Sequence, residues 1–287
     1  MKIVGEKMRN TYNIKWQIIL LILSVFIFSC KDDNINNPTE TPPEIPPVAS
    51  FKMEFDNFPS TIVLPKGDGS NFIDTSKTKN HWGYSYLNGV FWQTLVKVGM
   101  AIPVAAFVES FKHEAEQNED GQWMWTYEFA PFGGVNHTAS LYANVDNEGV
   151  SWEMYISKET QFTDFLWFSG QSDLAVTEGT WTLFHEPNDP NPWIGIEWHR
   201  NPADSTADIK YTNIDPNSDE NGGYIYYGSN SDGIYNAFYE IYNKGKNNTT
   251  SIKWNIETHE GRVRDFNHFG DNEWHCWDSN LDDIECP

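Results

Sequence analysis

The chain has few cysteines, few basic residues and no long apolar run, and each shortage excludes a class of protein. Three cysteines among 287 residues exclude a small scaffold held together by disulfides. The 19 Lys and Arg residues stand against 41 Asp and Glu, for a formal net charge of -22, and such a surface repels phosphate backbones. The main apolar run, Ile18 to Phe28, is far shorter than the about 20 residues that cross a membrane. Nucleic acid is therefore disfavoured as a partner, and no transmembrane helix is predicted.

The apolar run ends on a motif of the cell envelope. Basic residues precede it, as in a secretory signal, and Ile27-Phe28-Ser29-Cys30 resembles the lipobox of bacterial lipoproteins, although Phe28 departs from the usual small residue. The resemblance implies that residues 1–29 are a signal peptide and that Cys30 carries lipid, palmitate included. Lys31-Asp32-Asp33 is similar to the acidic signal that directs some lipoproteins to the outer face of the outer membrane. A plain signal peptide with an ordinary Cys30 is the alternative.

The cysteine count is consistent with lipidation. If Cys30 carries lipid, Cys276 and Cys286 are left as a pair that can close a small loop in an oxidising compartment. We therefore expect a disulfide between these two residues and a membrane contact through the N-terminal lipid alone.

Composition divides the mature chain into two parts. Residues 30–50 contain the run Asn-Pro-Thr-Glu-Thr-Pro-Pro-Glu-Ile-Pro-Pro and predict an extended tether. Residues 51–287 have no comparable break and are long enough for one β-rich domain with a large core.

One helical stretch precedes the strands. Its apolar pattern predicts helices from Leu87 to Ala101 and from Pro103 to Glu116, which meet at a kink because proline cannot continue a helix interior. The stretch is apolar on most sides, so we expect it to be buried against, or to plug, the sheet that follows.

From Trp123 onward the period changes to two, which is typical of half-buried strands. The pattern predicts ten strands with short turns, and short turns favour antiparallel neighbours in a meander that forms a barrel or a half-barrel. Helix first and meander second is similar to the architecture of the periplasmic lipoprotein carrier and its receptor. The predicted strands are Trp123 to Phe129, His137 to Val145, Val150 to Ile156, Phe165 to Ser169, Thr180 to His185, Trp193 to His199, Ala207 to Asn213, Tyr224 to Tyr227, Tyr235 to Tyr242 and Ser251 to Glu257.

The sequence has no catalytic or metal-binding motif that passes a spacing test. His185 and His199 share a hairpin with Glu186 and Glu197, but strand geometry places the two histidines about 16 Å apart. The acidic run from Asp215 to Asn221 lacks the bidentate glutamate of a calcium loop. We therefore predict no cofactor, no metal and no catalytic set, although pairs among the many carboxylates leave glycoside hydrolysis open.

Aromatic residues are abundant, with 13 Trp, 13 Tyr and 18 Phe, and most fit a sheet core. Tyrosines in neighbouring strands nevertheless occupy both faces, and both faces cannot be the only core. We therefore hypothesise a non-catalytic surface module that binds an apolar ligand or a glycan. The alternatives are an envelope enzyme acting on extracellular polysaccharide and a structural or interaction protein. The candidate ligand-binding residues are Trp123, Trp125, Tyr127, Tyr224, Tyr226, Tyr235 and Tyr239.

Overall fold

A single antiparallel sheet of fourteen strands, paired in chain order from β1 to β14, dominates the computed structural model. The structure describes residues 41–52, 58–59, 78–229 and 233–287, so the signal peptide and Cys30 lie outside the described residues. The strands are β1 Glu116–Gln117, β2 Trp123–Phe129, β3 His137–Val145, β4 Val150–Lys158, β5 Phe162–Ser172, β6 Glu178–Glu186, β7 Asp189–Asn201, β8 Thr206–Asn213, β9 Tyr224–Ser229, β10 Ala237–Asn243, β11 Asn248–Trp254, β12 Gly261–Arg264, β13 His275–Trp277 and β14 Asp283–Ile284.

The predicted antiparallel meander is confirmed, whereas the predicted number of strands is too low. The ten predicted strands correspond to β2 to β11, and the missed ones are β1, β12, β13 and β14. These four are short, at two to four residues, and two or three residues cannot display an alternating pattern. Among the described residues β1 and β14 do not pair with each other, so the sheet is not closed and a barrel is not confirmed.

The alternation of the strands separates an inner from an outer face. Every second residue of β2 is buried, beginning with Trp123, and the same alternation runs through β3 and β4. The inner face carries indole rings that are at most 2% exposed: Trp152, Trp181, Trp198, Trp254 and Trp277. The apolar area that these rings remove from water stabilises the sheet.

Two helices lie against the inner face. Helix α1, Asn80–Gly99, and helix α2, Ala101–Ser110, meet at a bend of 70°. The break lies at Met100, so Pro103 stands in the first turn of α2, where proline is tolerated. Helix α1 contacts β12, β13 and β14, and α2 contacts β2. A third helix, α3, spans Phe266–Phe269, and short 3-10 helices span Val48–Ser50 and Pro131–Gly133.

The predicted burial of the helical stretch holds for part of it only. Phe107 in α2 is fully buried, but Leu87, Phe91 and Val98 in α1 are exposed by 66%, 59% and 72%. The prediction is wrong for this side of α1 because the sheet covers only the opposite side. No single helix in the described part of the chain has the length and apolar character to cross a membrane, and α1 and α2 meet that criterion only when counted together.

Residues just ahead of the predicted domain boundary pack onto the sheet. The compact unit begins at Thr41, Ile45 contacts the core and Ser50 is 1% exposed. The ring of Phe51 stacks on Phe107 with centroids 5.0 Å apart. Residues 41–50 are therefore part of the packed structure, where an extended tether was predicted.

The last strands are joined by a disulfide and tied to α1. Cys276 and Cys286 lie at disulfide distance, with Cα atoms 5.2 Å apart. The carboxylate of Asp283 accepts hydrogen bonds from the amides of Asn80 and His81 at 3.0 and 2.9 Å. It thereby satisfies amide groups at the start of α1, which has no capping side chain of its own.

Candidate functional site

The seven candidate aromatic residues fall on different faces of the sheet. Trp123, Trp125, Tyr127 and Tyr239 are buried in the core, each at most 9% exposed, and the hydroxyl of Tyr127 donates to the carbonyl of Ala106 in α2. Helix α2 and the inner face hold these side chains, so they are not available to a ligand. The candidates that are only partly buried are Tyr224, Tyr226 and Tyr235.

Four rings form a partly exposed aromatic surface on the outer face of β9 and β10, which we call the tyrosine face. Tyr224 lies opposite Tyr242, with ring centroids 5.6 Å apart. Tyr226 meets Phe238 edge to face at 5.0 Å. Phe238 covers Gly228, where a Cβ atom would lie 2.6 Å from its ring. Glycine at this position therefore lets an aromatic ring lie flat on the strand.

Carboxylates flank the tyrosine face and bond to its hydroxyl groups. The hydroxyl of Tyr224 donates to Glu240 at 2.6 Å, and Tyr226 bonds to Asp208, which also lies 3.0 Å from Nδ1 of His199. Burial, followed by the adjacent acid, raises the pKa of Tyr224 and of Tyr226 to about 12. Both hydroxyls thus stay protonated near neutral pH and remain hydrogen-bond donors.

A pocket of about 300 Å³ opens at the strand ends beside the tyrosine face. Asp208 and His199 line it together with Trp198, Arg200 and Lys52. The indole Nε1 of Trp198 is buried and has no hydrogen-bond partner in the described part of the chain. The lining of the pocket therefore combines apolar side chains with charged ones.

The histidines and acids of the β6–β7 hairpin stay apart, as the sequence predicts. His185 bonds to Asp189 near the turn at 3.1 Å, whereas His199 lies at the far end of the hairpin opposite Glu178. In the turn after β8, Asp215 accepts from the amide of Asn217 instead of facing a common centre. Within the described ranges no three His, Cys, Asp or Glu residues are close enough to hold a metal ion.

The shifted carboxyl groups have the properties of structural acids. The pKa of each shifted Asp or Glu lies below its usual value, as at Asp173, Asp265 and Asp283. At these three, burial acts to raise the pKa, and hydrogen bonds to the carboxylate outweigh it. A general acid for glycoside hydrolysis needs the opposite shift, so the enzyme alternative gains no support here.

Sequence reasoning missed Asp208, Phe238 and Glu240. The sequence did contain a signal for them, because each lies an even number of positions along its strand from a residue that points outward. Phe238 and Glu240, for example, lie four and two positions before Tyr242. The register that brings Tyr224 opposite Tyr242 and Tyr226 opposite Glu240 depends on the turn between β9 and β10. A pattern of period two does not give that register.

No protein-family model, no curated protein and no solved structure matches the chain. The site itself therefore has to carry the functional argument.

Proposed function

We propose that the chain is a surface lipoprotein of the cell envelope whose domain binds a glycan on its tyrosine face and does not catalyse a reaction on it. The observation that carries the proposal is the set of partly exposed rings, Tyr224, Tyr226, Phe238 and Tyr242, with acceptor oxygens beside them. A sugar ring has apolar C–H faces and a rim of hydroxyl groups. Aromatic rings bind the apolar faces, and carboxylate oxygens accept hydrogen bonds from the hydroxyl groups.

An apolar ligand inside the sheet is the weaker form of this hypothesis. Helix α2 and Phe51 lie where such a ligand would bind, since Phe51 and Phe107 both pack against Trp181, at 5.7 and 5.5 Å. Binding there would have to displace packed aromatic rings. The outer face requires no such rearrangement.

We also propose that the sheet curves into a half-barrel around the helices. Two contacts support the curvature: Asn80 bonds to Asp283 in β14, and Ala106 bonds to Tyr127 in β2. The helical path between Asn80 and Ala106 is at most about 40 Å long. Twelve strand spacings in a flat sheet would cover about 58 Å, so the two contacts together support a curved sheet.

Alanine substitutions in the tyrosine face test the function. We expect the double variant Tyr224→Ala with Tyr226→Ala to bind about tenfold or more weakly to any polysaccharide that retards the unchanged protein. The reason is that aromatic anchors carry much of the binding free energy of an interface. Affinity electrophoresis of the full chain against a panel of purified polysaccharides measures the loss.

A second tyrosine pair on the same sheet supplies the matched control. Tyr142 and Tyr155 also point outward and meet edge to face at 5.8 Å, but they lie on β3 and β4. The double variant Tyr142→Ala with Tyr155→Ala should bind as the unchanged protein does. The proposal would be contradicted if both double variants lost the same affinity, or if no polysaccharide in the panel retarded the unchanged protein.

The anchor has its own test at Cys30. We expect the mature N-terminus to be an acylated Cys30 by mass spectrometry, and Cys30→Ala to move the protein from the membrane fraction to the soluble fraction. An unmodified cysteine in the mature protein would argue against lipidation and leave the glycan proposal intact.

A further inference from the structure

Three cationic side chains surround one indole ring on the outer face near the end of the sheet. The guanidinium groups of Arg262 and Arg264 lie 4.3 and 4.8 Å from the ring centroid of Trp274, and Nζ of Lys253 lies 5.9 Å from it. Arg262 also lies 4.7 Å from the ring of Tyr235. We call Lys253, Arg262 and Arg264 the cationic cluster.

The charges of the cationic cluster are not neutralised within the described part of the chain. Lys253 stands directly opposite Arg262 in the sheet, an arrangement of like charges that destabilises strand pairs. None of the three forms an ion pair there, whereas Lys79 and Lys112 are paired with carboxylates. In a chain with a net charge of -22, these three cations lie together with no carboxylate partner in the part that the structure describes.

The contacts with the Trp274 ring leave the cationic cluster with further hydrogen-bond donors. A guanidinium that stacks through its faces keeps its N–H groups in the plane, where they match the paired oxygens of a carboxylate or sulfate. Lys253 and Arg264 are exposed, so an anionic group at the surface can reach their donors and offset the like-charge repulsion.

The cationic cluster is continuous with the tyrosine face. Phe238 contacts Tyr226 and lies opposite Lys253 on the next strand, and Lys253 in turn lies opposite Arg262. From β9 to β13 there are four strand spacings, which amount to about 19 Å. One polymer chain lying across the strands can therefore reach both surfaces.

We infer that the cationic cluster binds the acidic groups, carboxylate or sulfate ester, of an anionic polysaccharide that lies across the tyrosine face. This inference rests on the proposed function and specifies its ligand class. The tyrosine face holds sugar rings, and Arg262, Arg264 and Lys253 hold the acidic substituents by charge-assisted hydrogen bonds.

Affinity measurements with charged and neutral polymers test the inference. The full chain, in a detergent with uncharged headgroups, is titrated with polygalacturonate, dextran sulfate and neutral dextran. The cluster variant is Lys253→Gln with Arg262→Gln and Arg264→Gln. A control with the same loss of charge is Lys97→Gln with Lys112→Gln and Lys158→Gln, which lie on α1, in the turn after α2 and on β4.

We expect at least one anionic polymer to bind about tenfold or more tightly than neutral dextran, and the cluster variant to lose that difference. Binding of only one anionic polymer identifies the acidic group as carboxylate or sulfate. Arg262→Lys with Arg264→Lys should recover only part of the affinity, because lysine lacks the planar fork. The cluster variant should unfold at the same or a higher temperature, since it relieves like-charge repulsion.

Equal binding of anionic and neutral polymers, or equal losses in the cluster and control variants, would overturn the inference. If a neutral polysaccharide still loses affinity in the Tyr224→Ala and Tyr226→Ala variant, the proposed function stands without the anionic subsite. Loss of stability in the cluster variant together with unchanged affinity would make the charges structural and overturn the inference as well.

Discussion

At the scale of single residues, Asp265 connects helices and strands through one buried carboxylate. It is 1% exposed and accepts from the hydroxyl of Tyr84 at 2.6 Å, the amide group of Asn248 at 2.9 Å, the hydroxyl of Thr250, and the backbone of His268 at 3.1 Å. Burial by itself would raise the pKa of Asp265, but these hydrogen bonds outweigh it and hold the pKa below its usual value. The charged form is therefore the one that the fold stabilises.

Removal of this carboxylate should be costly. We expect Asp265→Ala to lower the free energy of unfolding by about 3 kcal/mol, because several donors lose a buried acceptor. Urea denaturation measures the change. Asp271→Asn, which alters an exposed acid bonded to His275, is the control and should leave the urea midpoint nearly unchanged. Similar midpoints for the two variants would contradict the assigned role of Asp265.

The same residue makes the stability of the fold depend on pH. Because the pKa of Asp265 is lower in the folded chain than in the unfolded one, its contribution is present above the unfolded pKa, about 3.9. That contribution is lost as the pH falls through the folded pKa. With Asp265→Asn, the free energy of unfolding should decline less steeply below about pH 4. Urea titrations at several pH values measure this slope, and an unchanged slope would argue against the role of Asp265 in acid sensitivity.

The tyrosine face illustrates what single residues reveal before a structure is known. Tyr224 and Tyr226 were predicted as ligand-binding residues because both faces of their strand are aromatic, and both are partly exposed. Trp123, Trp125 and Tyr127 have the same alternating signal but lie in the core, because alternation identifies two faces and does not say which one a helix covers. The cationic cluster depends on the pairing of Lys253 with Arg262, which the sequence pattern does not specify.

At the scale of elements, two of the three glycines in helix α1 have opposite surroundings. A Cβ atom on Gly83 would meet no atom within 4 Å, whereas one on Gly99 would lie 2.2 Å from the indole of Trp193. Packing therefore does not require a glycine at position 83, whereas Gly99 permits a close approach between the end of α1 and strand β7.

Alanine at these two positions should have opposite effects. Gly83→Ala should raise the free energy of unfolding by about 0.5–1 kcal/mol through helix propensity, and Gly99→Ala should lower it by about 1 kcal/mol because Trp193 has to move. Thermal unfolding of the two variants gives the comparison. If Gly99→Ala were as stable as Gly83→Ala, the close approach to Trp193 would not exist in solution.

The elements also show how far a pattern predicts structure. Strands of seven or more residues, such as β2 and β4, display enough alternation to be recognised. The strands β13 and β14 exist because β12 and the disulfide hold them in place, which is a tertiary cause. The kink was predicted near the correct place, whereas the helix begins earlier, at Asn80, because a distant carboxylate caps it.

At the scale of the whole molecule, the disulfide holds the segment that caps helix α1. The loop between Cys276 and Cys286 contains Asp283, whose carboxylate bonds to Asn80 and His81. Loosening of this loop therefore affects both the last strands and the start of the helix.

Reduction of the disulfide should destabilise the protein by about 2–3 kcal/mol. Urea unfolding with and without a reducing agent measures the change, and Cys276→Ser with Cys286→Ser should reproduce it. Cys30→Ala serves as the control and should leave the sensitivity to reduction intact. Equal stability of the oxidised and reduced forms would show that β12 alone positions the terminal strands.

The strand order has a consequence for how the chain reaches and leaves its native state. Among the residues that the structure describes, strands β1 to β14 pair only with their neighbours in sequence. Each hairpin can therefore form soon after its two strands are available, and such local contacts form quickly. The bonds between Asn80 or His81 and Asp283 join residues more than 200 positions apart. These long-range bonds are the last that a growing sheet can make, and amide hydrogen exchange at the start of α1 should therefore report the earliest opening of the fold.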